Sequence, residues 1–417
     1  MKRFEEFDFD TVLNRKGTNS YKWDSAEVLN ENLLPLSVAD MDFAVPSVVT
    51  QALVNRTTTP VYGYEFQPDA LKEAIIEWEY KRHGFEMRKE WLLFTPGVVT
   101  GLAISILSFT EKGDRIVIQP PVYPPFFGVV EENDRKLVLN QLNYNQESLK
   151  YTMDFDSLEK IFSEQKPRLM FLCSPHNPIG RVWTREELQV LGGLCEKYQV
   201  ILVSDDIHAD LIFSGHRYHP LISISETIKN NAIQLMSPGK SFNIPGLRFS
   251  YAVIANRKLM DRLSEKLSAL ALTKTNIMAV VASQAVYQNG AKWLDSVLEY
   301  IWNNHVFLKT TLSGELPWAK VIPLEGTFLA WIDLNASGLN HKQLSHAVRS
   351  RAKLMLFEGH VFGDAGQGFM RINLACSRKT LHEAVKRLVN ALNQAKESPP
   401  FIEIIDKPVP SCKCCDG

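Results

Sequence analysis

The chain lacks any apolar run near the roughly 20 residues that a helix needs to cross a bilayer. It also lacks a charge excess, since 46 Lys and Arg stand against 47 Asp and Glu. This balance gives no reason to expect nucleic acid or a membrane as a partner. The first residues from Met1 are too charged for a signal peptide, so the cytoplasm is the expected compartment.

Cysteine is scarce, with six residues in 417. Cys173, Cys195 and Cys376 lie in or beside apolar segments and are predicted to be small buried side chains. The other three crowd a C-terminal tail behind two prolines: Cys412, Cys414 and Cys415. Nothing indicates a disulfide framework, which fits a reducing compartment. No fourth ligand stands near the tail thiols, so we predict no metal site.

Short apolar runs alternate with helical patterns through most of the chain. Predicted helices cover Asp69–His83, a segment from Thr95 to near Gly113, and Thr184–Tyr198 with a Thr184/Glu187 capping box. Predicted strands cover 115–118, 168–172, 200–203, 232–236 and 250–254. The alternation indicates an α/β fold whose mostly parallel sheet has helices on both faces. Ligands of such sheets lie beyond the carboxyl ends of the strands.

A smaller C-terminal domain is predicted after a long helical stretch from about Asn276 to Glu315. Its predicted elements are the strands 328–332 and 369–373 and the helices 341–351 and 380–395. The expected organisation has four parts: an N-terminal segment packing with the small domain (1–48), a large domain (49–290), the small domain (291–396) and a tail (397–417). Asp40 and Asp42 lie in the N-terminal segment, in a stretch that is predicted to be extended and half buried. The alternative is a structural strand whose polar side chains face water.

The stretch Ser237-Pro-Gly-Lys240 is the chemical centre of the sequence, because it puts a lysine in a loop between two buried strands. A lysine amine whose pKa is lowered by burial can form a Schiff base with an aldehyde such as pyridoxal phosphate (PLP). Ser237 and Arg248 would suit an anionic group beside it. The glycine turn at Gly97 precedes a helix whose N-terminal N–H groups also favour an anion. A solvated surface lysine is the ordinary alternative.

This Ser-x-x-Lys motif followed by Gly-Leu-Arg resembles the lysine loop of the fold-type-I PLP-dependent enzymes, the aspartate aminotransferase superfamily. The resemblance implies a large domain with a mostly parallel sheet, a smaller α/β C-terminal domain, and a homodimer with shared active sites. It implies that Lys240 is catalytic and carries PLP. The implied phosphate site contains Gly97, Val98, Val99, Ser237 and Arg248.

The resemblance assigns the rest of the site residue by residue. Asp205 matches the partner of the pyridine nitrogen, while Asp206 would be a solvated loop acid. Asn177 and His208 match the contacts of the phenolic oxygen, although many relatives have tyrosine where this chain has His208. Tyr123 matches the aromatic that stacks on the ring, with simple packing as its alternative. Arg371 matches the arginine that binds the substrate α-carboxylate, and Asn177 and Tyr123 are also expected to contact the substrate. Tyr64 matches a tyrosine that reaches the cofactor phosphate of the neighbouring subunit, with Tyr62 as the fallback.

One branch of the superfamily, the cystathionine β-lyase or C–S lyase group of PatB/MalY type, resembles this chain most specifically. The stretches that carry this resemblance are 20–24, 38–43, 62–64, 174–180, 204–208 and 240–246. It implies α,β-elimination of a small amino acid, L-cystathionine or a related cysteine S-conjugate, to pyruvate, ammonia and a thiol. The loops at 356–360 and 362–366 differ from the branch. An aminotransferase and a PLP-binding regulatory protein remain as alternatives.

Overall fold

The computed structural model describes residues 7–398, so the three tail cysteines lie outside it. Its strands are β1 (Leu34–Pro35), β2 (Leu92–Thr95), β3 (Arg115–Ile118), β4 (Lys136–Leu139), β5 (Asn143–Asn145), β6 (Lys150–Thr152), β7 (Leu169–Cys173), β8 (Ile201–Asp205), β9 (Ala232–Met236), β10 (Ser250–Val253), β11 (Lys320–Val321), β12 (Leu329–Asp333), β13 (Leu354–Met355), β14 (Phe357–Glu358) and β15 (Phe369–Asn373).

The helices of the same part of the chain are α1 (Ala26–Glu31), α2 (Ser47–Thr57), α3 (Asp69–His83), α4 (Val98–Phe109), α5 (Pro125–Glu131), α6 (Phe155–Gln165), α7 (Arg185–Lys197), α8 (Glu226–Asn231), α9 (Arg257–Ala269), α10 (Ile277–Asn289), α11 (Ala291–Glu315), α12 (His341–Ser345) and α13 (Arg378–Glu397). Six short 3-10 turns lie at Lys89–Trp91, Leu221–Ser223, Pro245–Leu247, Asn335–Ser337, Gly359–Phe362 and Asp364–Gly366. Among these described residues, none of the helices is both long and apolar enough to span a bilayer.

The large sheet has seven strands in the order β2-β10-β9-β8-β7-β3-β4. Only the two pairs that β10 makes, with β2 and with β9, are antiparallel, so the predicted mostly parallel sheet is confirmed. Side chains alternate between the two faces of a strand. In β7, Leu169, Phe171 and Cys173 accordingly join one apolar cluster while Met170 and Leu172 join the other. Both faces are buried, which is why these strands read as continuous apolar runs.

The parallel register brings three functional loops to one edge of this sheet. Cys173, at the end of β7, pairs with Asp205, at the end of β8, and Asp205 pairs with Leu235 of β9. The loops that follow therefore start side by side, and the lysine loop begins directly after Met236. The same topology predicts a ligand site here.

The small sheet has the order β11-β12-β15-β14 and is antiparallel. Arg371 of β15 lies in register between Trp331 and Phe357. The N-terminal segment joins this part of the molecule, since β1 pairs with β13 through Leu34 and Leu354. The domain boundaries given above stay a prediction, although α11 starts at their proposed junction.

Three predicted helices differ in the structure. The helical stretch from Asn276 is two helices that meet at Gly290, where a Cβ would approach the ring of Phe242 to 2.5 Å. The helix from His341 is α-helical only to Ser345 and continues as a π-helical turn to Arg351. The helix expected to reach Gly113 ends at Phe109, where the backbone turns extended.

Candidate active site

Lys240 lies in the turn after β9 and lines a cavity at the carboxyl edge of the large sheet. Its Nζ donates a hydrogen bond to the backbone oxygen of Ala39. Burial lowers the pKa of this amine to about 8, and the charge of Arg371 acts in the same direction, while Asp40 and Asp205 oppose it. The next residue, Ser241, anchors the turn by donating to Asp210 Oδ2 over 2.8 Å. The amine is therefore held in place and loses its proton more readily than an ordinary lysine amine does.

The N-terminus of α4 forms one end of the cavity. Gly97 caps this helix with φ +112°, a conformation that favours glycine, and the first turn contains no acidic residue and no side-chain cap. The first N–H groups of a helix have no partner within the helix. Residues 97–100 line the cavity together with Ser237 and Arg248. This end of the cavity is consequently suited to an anion.

Ser237 and Arg248 reach this end from the lysine loop. Ser237 Oγ donates to Phe249 O over 2.6 Å and accepts from Gly239 N over 3.0 Å, so its hydroxyl also holds the loop together. Arg248 follows a 3-10 turn in the left-handed region, with φ +54°. Its side chain is exposed at the cavity wall, where its charge adds to the field of the helix.

Asp205 lines the same cavity. Its Oδ1 accepts from Ile207 N over 3.1 Å. Burial raises the pKa of this carboxyl to about 6, whereas the Ile207 N–H and the charge of Lys240 oppose the rise. A buried carboxylate of this kind is stabilised by a cation placed against it. That is the requirement of a protonated pyridine nitrogen.

His208, three residues on, is buried and also lines the cavity. Within residues 7–398, its Nδ1 finds no hydrogen-bond partner. Burial lowers the pKa of the imidazole well below its usual value, and the charges of Lys240 and Arg371 lower it further. His208 is therefore neutral, and one of its buried ring nitrogens is available to a ligand.

Arg371 lies behind the cavity wall and is 2% exposed. Its Nη1 donates to Asn177 Oδ1 and its Nη2 to Ser37 O, each over 2.8 Å. Its Cζ lies 4.6 Å from the ring centroid of Phe357 and 4.9 Å from that of Phe362. Asn177 itself lines the cavity, as does Tyr123. These two hydrogen bonds orient the guanidinium toward the cavity side of Asn177.

One acidic residue was misread from sequence, and for another the structure decides between the two alternatives given above. Asp206 is not a solvated loop acid: it is buried, accepts hydrogen bonds from the hydroxyls of Ser204 and Tyr218, and has its pKa raised by burial to about 8. Asp42 is not turned to water either, since its carboxylate binds Lys22 and Arg15, each over 2.7 Å.

The other acid of that segment, Asp40, binds Arg15 over 2.6 Å. The carbonyl of Ala39 that holds Lys240 belongs to the same segment, and sequence reasoning missed it. The resemblance of residues 38–43 to the lyase branch was the only feature of the sequence that pointed to this segment. Thr100 and Cys173 also line the cavity without having been singled out for it. The prediction that Cys173, Cys195 and Cys376 are buried is confirmed.

The cavity brings together nearly all of the residues predicted for the cofactor. They are Gly97, Val98, Val99, Tyr123, Asn177, Asp205, His208, Ser237, Lys240 and Arg248. Arg371 adjoins them through Asn177. Tyr64 is not among them: its side chain is 99% exposed and it lies on the surface of this chain, as does Tyr62. The individual roles stay predictions.

The donor set fits pyridoxal phosphate. An uncapped helix N-terminus and Arg248 suit the phosphate, Lys240 suits the aldehyde, and Asp205 suits the ring nitrogen. The Asp205 carboxyl, with its pKa raised to about 6, and the Lys240 amine, with its pKa lowered to about 8, are both buried. They share one cavity with the anion site. Such perturbed pairs are typical of functional sites.

Comparison with known proteins agrees with this geometry. Residues 31–388 match the family described as aminotransferase class I and II. The cystathionine β-lyase PatB of Bacillus subtilis is 39% identical over 92% of this chain and 100% of its own length. The protein MalY of Escherichia coli is 31% identical over 94% of this chain and 100% of its own length.

Solved structures of similar proteins share the fold. Cystalysin from Treponema denticola, whose structure contains pyridoxal 5'-phosphate, is 33% identical with a TM-score of 0.89 over 93% of this chain and 99% of its own. A PLP-bound C–S lyase from Staphylococcus hominis is 32% identical with a TM-score of 0.86 over 94% and 99%. The fold is thus that of the fold-type-I PLP-dependent enzymes. The chain belongs to the aminotransferase class I and II family, and its predicted resemblance to the cystathionine β-lyase branch is confirmed.

Proposed function

We propose that this protein is a PLP-dependent C–S β-lyase that converts L-cystathionine, or a related cysteine S-conjugate, to pyruvate, ammonia and a thiol. The observation that carries the proposal is the Lys240 amine, with its pKa lowered to about 8, in one cavity with Asp205 and backed by Arg371. The full-length similarity to PatB, a cystathionine β-lyase by name, supports the reaction type.

Each residue of the site has a separate role in the proposed reaction. Bound PLP supplies an aldehyde for the substrate amine and a ring that accepts electrons. Arg371 binds the α-carboxylate through its planar guanidinium, which Asn177 and Ser37 orient. Lys240 accepts the α-proton as general base, since its lowered pKa gives a usable neutral fraction near neutral pH. The Asp205 carboxylate would hold the protonated ring nitrogen of the cofactor, which would favour departure of the thiolate from the substrate β-carbon.

The first test is the product balance with L-cystathionine. Purified holoenzyme is expected to release pyruvate and homocysteine in equal amounts without any added 2-oxo acid, because elimination needs no amino acceptor. Pyruvate is measured with lactate dehydrogenase and thiol with a disulfide reagent. Turnover that begins only when a 2-oxo acid is supplied would contradict the lyase and favour the aminotransferase. No turnover with any cysteine conjugate would favour the regulatory protein.

We also propose a cytoplasmic homodimer in which Tyr64 completes the neighbouring subunit's site. The proposal is supported by a run of exposed aromatic side chains: Tyr62 is 58%, Tyr64 99% and Phe66 97% exposed. Contiguous apolar exposure of this kind is typical of interaction surfaces. The buried, free thiols of Cys173 and Cys195 suit a reducing compartment.

Shared sites predict that two inactive variants restore each other. Lys240→Ala and Tyr64→Ala are each expected to be impaired. Coexpressed in equal amounts, they should regain about a quarter of wild-type activity, because half of the dimers are mixed and one site in each mixed dimer is intact. Steady-state pyruvate release from the purified mixture measures this. A mixture no more active than the mean of its two parents would show that Tyr64 acts within its own subunit or not at all.

A further inference from the structure

Three potential metal ligands converge on the small domain, outside the cavity described above. They are His341 at the start of α12, Glu358 of β14 and His360 of the following 3-10 turn. Glu358 Oε2 lies 3.2 Å from His341 Nε2 and 3.4 Å from His360 Nδ1. All three ligand atoms lie within 4.8 Å of one another. Two imidazoles and one carboxylate thus face a common point.

These distances match a tetrahedral zinc site. Bonds of about 2.1 Å from Zn²⁺ to nitrogen and oxygen ligands put neighbouring ligand atoms about 3.4 Å apart. The distances from Glu358, 3.2 Å and 3.4 Å, are close to this value, while the two histidine nitrogens lie within 4.8 Å of each other. The two rings are in contact, with centroids 4.1 Å apart. Imidazole and carboxylate ligands suit divalent transition metals better than Mg²⁺ or Ca²⁺.

Two further observations indicate that the cluster is arranged for a ligand. Among the described residues, the Nδ1 atom of His360 is buried and has no hydrogen-bond partner, although Glu358 is close. The other carboxylate oxygen of Glu358 accepts from Ser345 Oγ over 2.6 Å, which fixes the orientation of the carboxylate. Outer contacts of this kind orient the ligands of metal sites.

We propose that His341, Glu358 and His360 bind one divalent transition-metal ion, with Zn²⁺ as the reference ion. The three side chains hold it, and at least one coordination position stays open to water. The site is structural in its effect, because it fastens α12 to the segment that carries Phe357 and Phe362. Those two rings cover the Arg371 guanidinium. Phe362 O also accepts from Val122 N over 2.9 Å, next to Tyr123.

The test is a Zn²⁺ titration of tag-free, chelator-treated holoenzyme by calorimetry. A background with Cys412, Cys414 and Cys415 all changed to serine removes the tail thiols as competing ligands. We expect one ion per chain with micromolar or tighter affinity, and a rise in melting temperature on adding Zn²⁺. His341→Gln and His360→Gln each remove a ligand, so they are expected to weaken binding by more than the roughly 10- to 100-fold that loss of an outer contact costs, and to abolish the thermal shift.

His346→Gln is the matched control, because His346 lies in the same segment but outside the cluster. It should bind Zn²⁺ like the background protein. Co²⁺ provides an independent readout, since four-coordinate Co²⁺ with nitrogen and oxygen ligands gives intense visible bands that both histidine variants should lose. Binding that is absent, weaker than millimolar, or equal in the His341, His360 and His346 variants would overturn the proposal.

Discussion

Lys240→Ala is expected to lower kcat for β-elimination by at least about 10³-fold, within the range attributed to a positioned general base. The variant removes the amine that accepts the α-proton, while Arg371 and the helix N-terminus remain to bind substrate and phosphate. Exchange of the substrate α-proton in deuterated buffer, followed by NMR, measures the lost step directly. It should fall in parallel with pyruvate release.

Lys240→Arg serves as the matched control, because it keeps the positive charge but not an accessible neutral form. It should be nearly as inactive as Lys240→Ala, and added methylamine should restore part of the activity of the alanine variant only. If Lys240→Ala kept normal α-proton exchange, another residue would be the base.

The pH dependence of the wild-type enzyme follows from the same amine. Its pKa is lowered to about 8, so its neutral, proton-accepting fraction grows as the pH rises toward and through that value. We expect kcat to rise over the same range. A kcat that stays flat or falls between pH 6 and 8 would contradict a general base with this pKa.

Much of the fold could be predicted because its sheet is buried on both faces. Strands such as β3 and β9 are mostly apolar runs, and their bounds in the structure equal the predicted ones. The cavity residues were found for the same reason, since polar residues that follow such runs come together where parallel strands end. The division of the helical stretch at Gly290 was not predicted; the glycine there packs against Phe242 of the lysine loop, which lies far away in sequence.

What the sequence did not predict is which side chains become partners when they lie far apart in the chain. Asp206 directly follows β8, and its orientation toward Tyr218 is decided by the alternation of the strand and by a partner in a later loop. Asp42 is neutralised by Lys22 and Arg15, which a local reading of its own segment does not consider. The cluster around Glu358 likewise has no spacing typical of a metal motif, so sequence alone predicted no metal.

Arg371→Ala is expected to lower kcat/KM for L-cystathionine by about 10²- to 10³-fold, the range that follows from removing one partner of a buried charge-assisted pair. Most of the loss should be in KM, because the guanidinium binds the α-carboxylate in the substrate complex and in the transition state alike. Arg371→Lys keeps a charge but loses the planar fork that Asn177 and Ser37 orient, and should recover only a small part.

The decisive control for Arg371 is a substrate without the carboxylate. For S-substituted cysteamines, which lack it, wild type and Arg371→Ala should bind with the same affinity, measured by the change in cofactor absorbance. An equal loss of affinity for both kinds of ligand would mean that Arg371 acts by packing between Phe357 and Phe362 instead. Arg371 is buried among those rings, so its replacement could also destabilise the fold. The melting temperature of the holoenzyme variant is therefore measured as well, and a value within a few degrees of wild type shows that the fold is retained.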